Sequence, residues 1–201
     1  MPPILFDFPD SFETERLLIR APRPGDGVMI YDAVCETLDA LRLWMEWALP
    51  EPSVALYEEF ARRSAADFIA RVDLPLLLWL KEGETLVGSS GFHPRDWDVP
   101  RFEIGYWCRT RFEGQGYISE AVRGVSQFAF DHLKAQRLEI RCDARNERSA
   151  RVAVRAGFHL EGTLQNHMRD TNGHLRDSLI FARLPNDELI SSAEKVEGIP
   201  T

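Results

Sequence analysis

The sequence has little cysteine: Cys35, Cys108 and Cys142 are the only three in 201 residues. They stand far apart, without a C-x-x-C pair, zinc-ligand spacing or an even-numbered set. This excludes a disulfide framework and a cysteine-built metal site; reduced thiols in a cytoplasmic compartment are expected. Long apolar runs are missing too, and none approaches the roughly 18 residues of a membrane span. The opening M-P-P-I-L-F-D-F has no basic stretch, so no signal peptide is expected. An excess of positive charge is also absent. The net charge is −8 and the pI near 5.2, against general affinity for nucleic acid or anionic membranes. There is no internal repeat and no low-complexity segment.

What is present fits one soluble domain with a real core: 44% apolar and 28% charged residues. Residues 1–12, with Pro2, Pro3 and Pro9, read as an N-terminal lead-in, 13–185 as the domain and 186–201 as a polar tail. Glu15–Ala21 is predicted as the first strand, stopped by Pro22 and Pro24. Asp26 is placed to cap a helix over 27–39. Leu41–Leu49 reads as a short helix or a loop. A helix over 54–72 carries apolar positions Leu56, Phe60, Ala61, Phe68, Ile69 and Val72. Leu76–Lys81 and Thr85–His93 form a hairpin around E-G-E. A polar loop with Pro94 and Pro100 leads to the strand Phe102–Cys108.

Tyr117–His132 has helical spacing, with Gly124 a weak point that would allow close packing on the sheet. Arg137–Asp143 alternates like a half-buried strand. Ser149–Ala156 is a short helix stopped at Gly157. Phe158–Arg169 and His174–Leu184 flank T-N-G as a hairpin. Hairpins impose antiparallel pairs, while the strand–helix–strand step through 102–143 permits a parallel one. The fold class is therefore α/β (α+β): a mixed, mostly antiparallel central sheet flanked by helices.

The pattern centres on Arg111–Ser119, R-F-E-G-Q-G-Y-I-S, between a strand and a helix. Glycine permits positive φ and close approach of a ligand to backbone. The free N–H groups of a helix start then favour an anion such as a phosphate. Three phosphate motifs compete for this position. A Walker A string, G-x-x-x-x-G-K-[ST], does not occur. A Rossmann G-x-G-x-x-G is met only as Gly114-Q-Gly116-Y-I-Ser119, and the acidic residue due about 20 positions on is not cleanly there.

The third covers nearly the whole chain. The sequence resembles the GCN5-related N-acetyltransferase (GNAT) superfamily, in its RimJ/RimL-like ribosomal-protein N-acetyltransferase branch. Arg111-F-E-Gly114-Q-Gly116 matches the acyl-CoA motif Q/R-x-x-G-x-G/A. Phe102-Glu103-Ile104-Gly105-Tyr106-Trp107 matches the branch's A-E-I-G-Y-W, and Thr14–Arg20 its T-E-R-L-x-L-R. Asn146-E-R-Ser149 followed by Gly157-Phe158 matches N-x-x-S…G-F.

The resemblance implies acetyl-CoA as acyl donor, with no metal required. The amides of Arg111, Phe112, Glu113, Gly114, Gln115 and Gly116, up to Tyr117 at the helix start, would wrap the pyrophosphate. The strand Tyr106–Trp107–Cys108 would pair with the pantetheine arm and offer an oxyanion donor. Asn146 would touch the pantetheine, and Ser149 would sit near the sulfur.

Each residue also has a plainer reading. Glu103 is the first candidate base, or a sheet-face carboxylate paired with Arg95 or Arg101. His93 is the rival base, or a polar strand end. Ser149 is the candidate acid toward the thiolate, since the tyrosine many relatives carry slightly further on is missing. Asn146 suits a helix N-cap. Arg111 can be a surface charge. Arg137, Arg141, Arg145, Arg148, Arg151 and Arg155 crowd one region; they are a solvated face or complement the phosphates, with Arg148 and Arg151 favoured for contact. Burial is the expectation for Cys108 and Cys142. Trp44, Trp47, Trp79 and Trp97 line an acceptor pocket or belong to the core, Trp79 to the core.

The expected function is transfer of an acetyl group to a primary amine, of a protein N-terminus or a small molecule, by direct attack on the thioester. A non-catalytic acyl-CoA sensor and a dinucleotide oxidoreductase are the alternatives. Exposed sheet edges and the C-terminal hairpin leave a homodimer open.

Overall fold

Eight strands share one sheet in the computed structural model, which describes residues 1–187. In chain order the elements are β1 (Ser11–Glu13), β2 (Leu17–Arg20), α1 (Gly27–Arg42), α2 (Val54–Ala70), β3 (Leu74–Leu80), β4 (Leu86–Asp96) and β5 (Arg101–Cys108). They continue with α3 (Tyr117–His132), β6 (Arg137–Asp143), α4 (Glu147–Arg155), β7 (His159–Arg169) and β8 (Leu175–Arg183). In space the strands run β1-β2-β3-β4-β5-β6-β8-β7. Every neighbouring pair is antiparallel except β5 and β6, which are parallel, as a helical crossover between them requires. From residue 188 on, the expected polar tail lies outside the described residues.

Strand β3, L-P-L-L-L-W-L, is apolar almost throughout because both its faces are covered. Leu74, Leu76 and Leu78 join the core under α3, which contributes Ala121, Val122, Val125, Phe128 and Ala129. Leu77 and Trp79 face α1 and α2 through Ile30, Val34, Tyr57 and Ala61. Beyond β4, this second face has no helix among the described elements.

Some local expectations change. The buried stripe of α2 is Tyr57, Ala61, Ser64 and Phe68, whereas Leu56, Phe60, Ile69 and Val72 are exposed. Spacing of four, three and four residues set the face, and side-chain hydrophobicity did not. Asp26 makes no side-chain cap; its carboxylate accepts from the Arg20 guanidinium at 2.7 and 2.8 Å and from the Arg23 amide. Glu58 of α2 takes the amides of Gly25 and Gly27 instead. Segment 41–49 begins with the last two residues of α1, which runs on to Arg42, and then holds a 3-10 turn, Glu46–Ala48. The loop expected at Pro94 is strand β4 with a register shift between Pro94 and Asp96, a place where proline's missing N–H is tolerated.

The first residues are built into the fold. Strand β1 pairs with β2, and Phe12 stacks on Phe128 of α3 at 4.6 Å between ring centres. Gly124 permits this close approach of α3 to the edge of the sheet, as expected: a Cβ there would lie 2.6 Å from Thr14 Cγ2, just past β1, and 3.5 Å from Phe12 Cε2.

Candidate active site

The parallel pair that positions the site is short. Strands β5 and β6 pair only at Arg101–Glu103 with Arg137–Glu139 and then part. The β6-facing backbone edge of Gly105–Cys108 therefore has no strand partner. The gap opens into a cleft of about 1160 Å³ between the end of β5, the start of α3 and α4.

The glycine turn forms its rim. After β5, a 3-10 turn at Thr110–Phe112 leads to Gly114 (φ +73°) and Gly116 (φ +82°), in the left-handed region that favours glycine. The amides of Thr110 and Arg111 bond to Thr37 Oγ1 and the Glu36 carboxylate. Those of Phe112 and Glu113 bond to the Arg109 and Thr110 carbonyls. The expectation that the whole of 111–116 offers its amides is thus narrowed. Those of Gly114 through Ser119 have no acceptor among the described residues. A Cβ on Gly114 would meet nothing within 4 Å, so the turn opens directly into the cleft.

The turn is held from α1. Glu36 accepts from Arg109 Nε at 2.7 Å and pairs with Arg111 Nε at 3.1 Å, so the Arg111 side chain points away from the cleft. Burial pushes the Glu36 carboxyl up, but these bonds outweigh it and hold it below the usual carboxylate range. No sequence signal marks Glu36, because its partners are 73 and 75 positions away.

The opposite wall is α4. Asn146 caps it by accepting from the Ser149 amide at 3.0 Å. Tyr106 reaches across the gap from β5, donating its hydroxyl to the Ser149 carbonyl at 3.0 Å with Ser149 Oγ also 3.0 Å away. Burial holds the Tyr106 phenol well above its usual range, and therefore neutral. Burial likewise pushes the Cys142 thiol up to about 11 and the Cys108 thiol up to about 12, so neither is a thiolate nucleophile near neutral pH. No tyrosine follows Ser149 in α4; the hydroxyl that reaches Ser149 is that of Tyr106, a contact not legible in the chain order.

Of the residues expected at the cofactor site, all line this cleft except Arg111 and Gln115. Arg148 pairs with Glu113 across the cleft mouth, and Arg151 with Glu147 at 3.0 Å. The expected arginine crowd divides: Arg145, Arg148, Arg151 and Arg155 line the cleft, while Arg137 and Arg141 do not. On β6, Leu138, Ile140 and Cys142 face α3, so the alternation of a strand turns Arg137 and Arg141 to the other side, onto Glu139, Glu161 and Glu103.

Glu103 and His93 are cross-strand neighbours on that other side, and neither lines the cleft. Glu103 is bonded to Arg95 at 2.8 Å and paired with Arg141 at 3.3 Å; Arg101, the other partner considered, does not reach it. His93 Nδ1 lies 2.7 Å from Asp73 Oδ1, and this bond holds the imidazole above its usual value. A Cβ on Gly105 would come 3.2 Å from His93 Nε2, so the glycine leaves that nitrogen room. Trp79 is core and Trp97 packs on Phe6 and Phe102 away from the cleft. Trp47 lies against Trp107. Trp44 lines both the main cleft and a second cavity of about 220 Å³ bordered by Met168 and Asp170 of the β7–β8 hairpin.

A parting parallel pair, a glycine turn at its end and a cleft running past a free strand edge define a transferase that binds a long phosphate-bearing donor. The profile of the acetyltransferase (GNAT) domain matches residues 16–159, and the chain belongs to that family. Its activity is acetyl-CoA-dependent N-acetyl transfer; the sensor alternative is not favoured. Ribosomal-protein-serine acetyltransferase of Escherichia coli (strain K12) is 29% identical over 174 residues, 85% of this chain and 94% of that protein. Among solved structures, the microcin C7 self-immunity acetyltransferase MccE in complex with acetyl-CoA and AMP superposes with a TM-score of 0.81. It is 24% identical and covers 88% of this chain and 97% of its own. RimL, a ribosomal L7/L12 alpha-N-protein acetyltransferase in complex with CoA, gives 0.80 at 20% identity, with 87% and 97% covered. These two likenesses show the fold. No helix among the described residues is long and apolar enough to cross a membrane.

Proposed function

We propose that the chain acetylates the terminal amine of a protein, with the donor held in the cleft between α3 and α4. The observation that supports this most is the run of unpartnered amides at Gly114–Ser119, continuous through one cleft with the unpaired strand edge at Gly105–Cys108. Bound acetyl-CoA would supply a thioester carbonyl open to attack by an amine.

The residues then divide the work. The amides at Gly114–Ser119 bind the diphosphate, with the helix dipole of α3 behind them. Arg148 and Arg151 at the mouth meet the remaining phosphate charge. The edge at Tyr106–Cys108 binds the pantetheine amides, and the Tyr106 or Trp107 N–H faces the carbonyl as oxyanion donor. Ser149, bonded to the neutral Tyr106 hydroxyl, delivers a proton to the leaving sulfur. Glu103, or His93 through water, takes a proton from the acceptor's ammonium on the opposite side of the sheet, and the neutral amine so formed attacks the thioester carbonyl. The curated relative named as a ribosomal-protein-serine acetyltransferase supports a protein acceptor. The cavity beside Trp44, between the 43–47 segment and the β7–β8 hairpin, is the acceptor's path.

Tryptophan fluorescence tests the donor site, because Trp44 and Trp107 line the cleft. CoA and acetyl-CoA should quench it and NAD should not, and Gly114→Glu/Gly116→Glu should abolish the effect. Thiol release should then be faster with peptides bearing a free α-amine than with the same peptides N-formylated and carrying only lysine amines. Equal rates would remove the terminal-amine reading, and no CoA binding would remove the donor site.

A further inference from the structure

The N-terminal hairpin and the glycine turn are distant in sequence but share a buried carboxylate. Glu120, in the first turn of α3, is 8% exposed. It accepts from Thr14 Oγ1 at 2.6 Å, the Arg16 amide at 2.8 Å and Arg16 Nε at 2.6 Å. The same Arg16 donates through Nη1 to the Gln115 carbonyl at 3.0 Å and lies over the Tyr117 ring at 4.1 Å. Arg16 also lines the cleft.

The consequence is electrostatic and geometric. A carboxylate one turn from the free amides repels a phosphate unless a cation faces it. The Gln115 carbonyl would do the same if it turned toward the ligand. One guanidinium cancels the first and fixes the second, leaving the N–H groups of the turn toward the cleft.

We propose that Thr14, Arg16 and Glu120 form a clasp in which Arg16 is the positioning residue for the diphosphate-binding turn; this rests on the reading above that the turn holds the donor's diphosphate. The clasp gives the T-E-R stretch, Thr14–Arg16, a physical task at a site formed about 100 residues later.

CoA titration by tryptophan fluorescence tests it on the full chain. Arg16→Gln should weaken CoA about tenfold, the scale of a lost charge-assisted bond. Arg16→Gln/Glu120→Gln should recover part of that loss, since no unpaired carboxylate remains. If the second change only adds to the damage, the clasp is wrong. Should Arg16→Gln fail to fold, the double variant decides: it lacks the Gln115 anchor and must bind CoA more weakly than wild type, and equal binding overturns the proposal. The loss must also appear with 3′-dephospho-CoA, which keeps the diphosphate. A loss confined to CoA would put Arg16 on the 3′-phosphate and overturn the clasp. Wild-type protein that binds no CoA fails the donor-site reading itself. A CoA-binding wild type matched by Arg16→Gln within about twofold, well below the effect of a lost charged bond, fails the clasp alone.

Discussion

Replacing Glu36 by alanine isolates how α1 holds the glycine turn. Glu36 accepts two hydrogen bonds, from Arg109 Nε and the Arg111 amide, and forms an ion pair with Arg111 Nε. Arg109 is buried, with 8% of its side chain exposed, while Glu36 is 29% exposed. Truncation leaves a buried guanidinium without its counter-charge. A charge-assisted bond contributes about 1.5–3 kcal/mol, and breaking a fully buried pair costs about 3–5 kcal/mol. Partial exposure of Glu36 places this pair near the lower range, about 2–3 kcal/mol. For a chain of this size that lowers Tm by roughly 4–12 °C.

Scanning calorimetry across pH checks both size and cause. The Glu36 carboxyl is depressed in the folded protein, so its contribution is complete above the unfolded value of about 4.3 and is lost as pH falls through the folded value. The gap between wild type and Glu36→Ala should therefore be full at neutral pH and close under acid. A gap below about 0.5 kcal/mol at neutral pH, within the range of ordinary surface substitutions, would refute the reasoning. A gap unchanged by acid would show that packing, and not charge, holds the turn.

Tyr106→Phe removes the donor to Ser149; stability should fall by about 1 kcal/mol and kcat by roughly 10²-fold, and an unchanged kcat would take the proton relay away. For His93, an NMR titration should place the imidazole midpoint above the usual value of about 6.5, and Asp73→Asn should bring it down. Because the folded value is raised, the His93–Asp73 contribution is complete below the unfolded value and is lost as pH rises through the folded one, so the two proteins should converge in stability under alkali. Gly124→Ala gains about 1 kcal/mol of helix propensity but forces its methyl onto Thr14, an overpacking cost of about 1–3 kcal/mol; a higher urea midpoint would show that the hairpin yields freely. Cationic acceptor peptides should react more slowly as salt rises, given the net charge of −8; rates indifferent to ionic strength would exclude steering.

The parts legible in the sequence were those governed by local periodicity. Tyr117–His132 and Arg137–Asp143 form elements with those bounds because amphipathic spacing and alternation act over a few residues. The glycine turn was legible too, since positive φ at two positions one residue apart, Gly114 and Gly116, calls for residues without a side chain. Contacts that cross the chain were not. Nothing near Glu36 announces Arg109, and nothing near Tyr106 announces Ser149, 43 positions on. The stripe of α2 misled because Leu56, Phe60, Ile69 and Val72 are apolar yet face outward. The arginines after Gln136 read as one cluster because they were counted along the chain; the alternation of Arg137–Asp143 was legible, but which of its two sides faces the cleft is set by the sheet and by α3.

The same blindness affects charge. The chain is strongly acidic, which on composition alone disfavours an anionic ligand. Yet the cleft is lined by six arginines and two glutamates. The Debye length at physiological salt is about 8 Å, so a phosphate at the mouth responds to this local set more than to distant carboxylates. Glu113, within the turn, pairs with Arg148, and Glu36 and Glu120 beside it are met by an arginine at 2.7 and 2.6 Å, so none of the three presents a free charge to the ligand. To the arginines the turn adds backbone: the amides of Gly114–Ser119, without an acceptor among the described residues, and the dipole of α3. An acidic protein can thus hold a polyanion, because its carboxylates are used to fix the scaffold and its unpaired donors are left at the site.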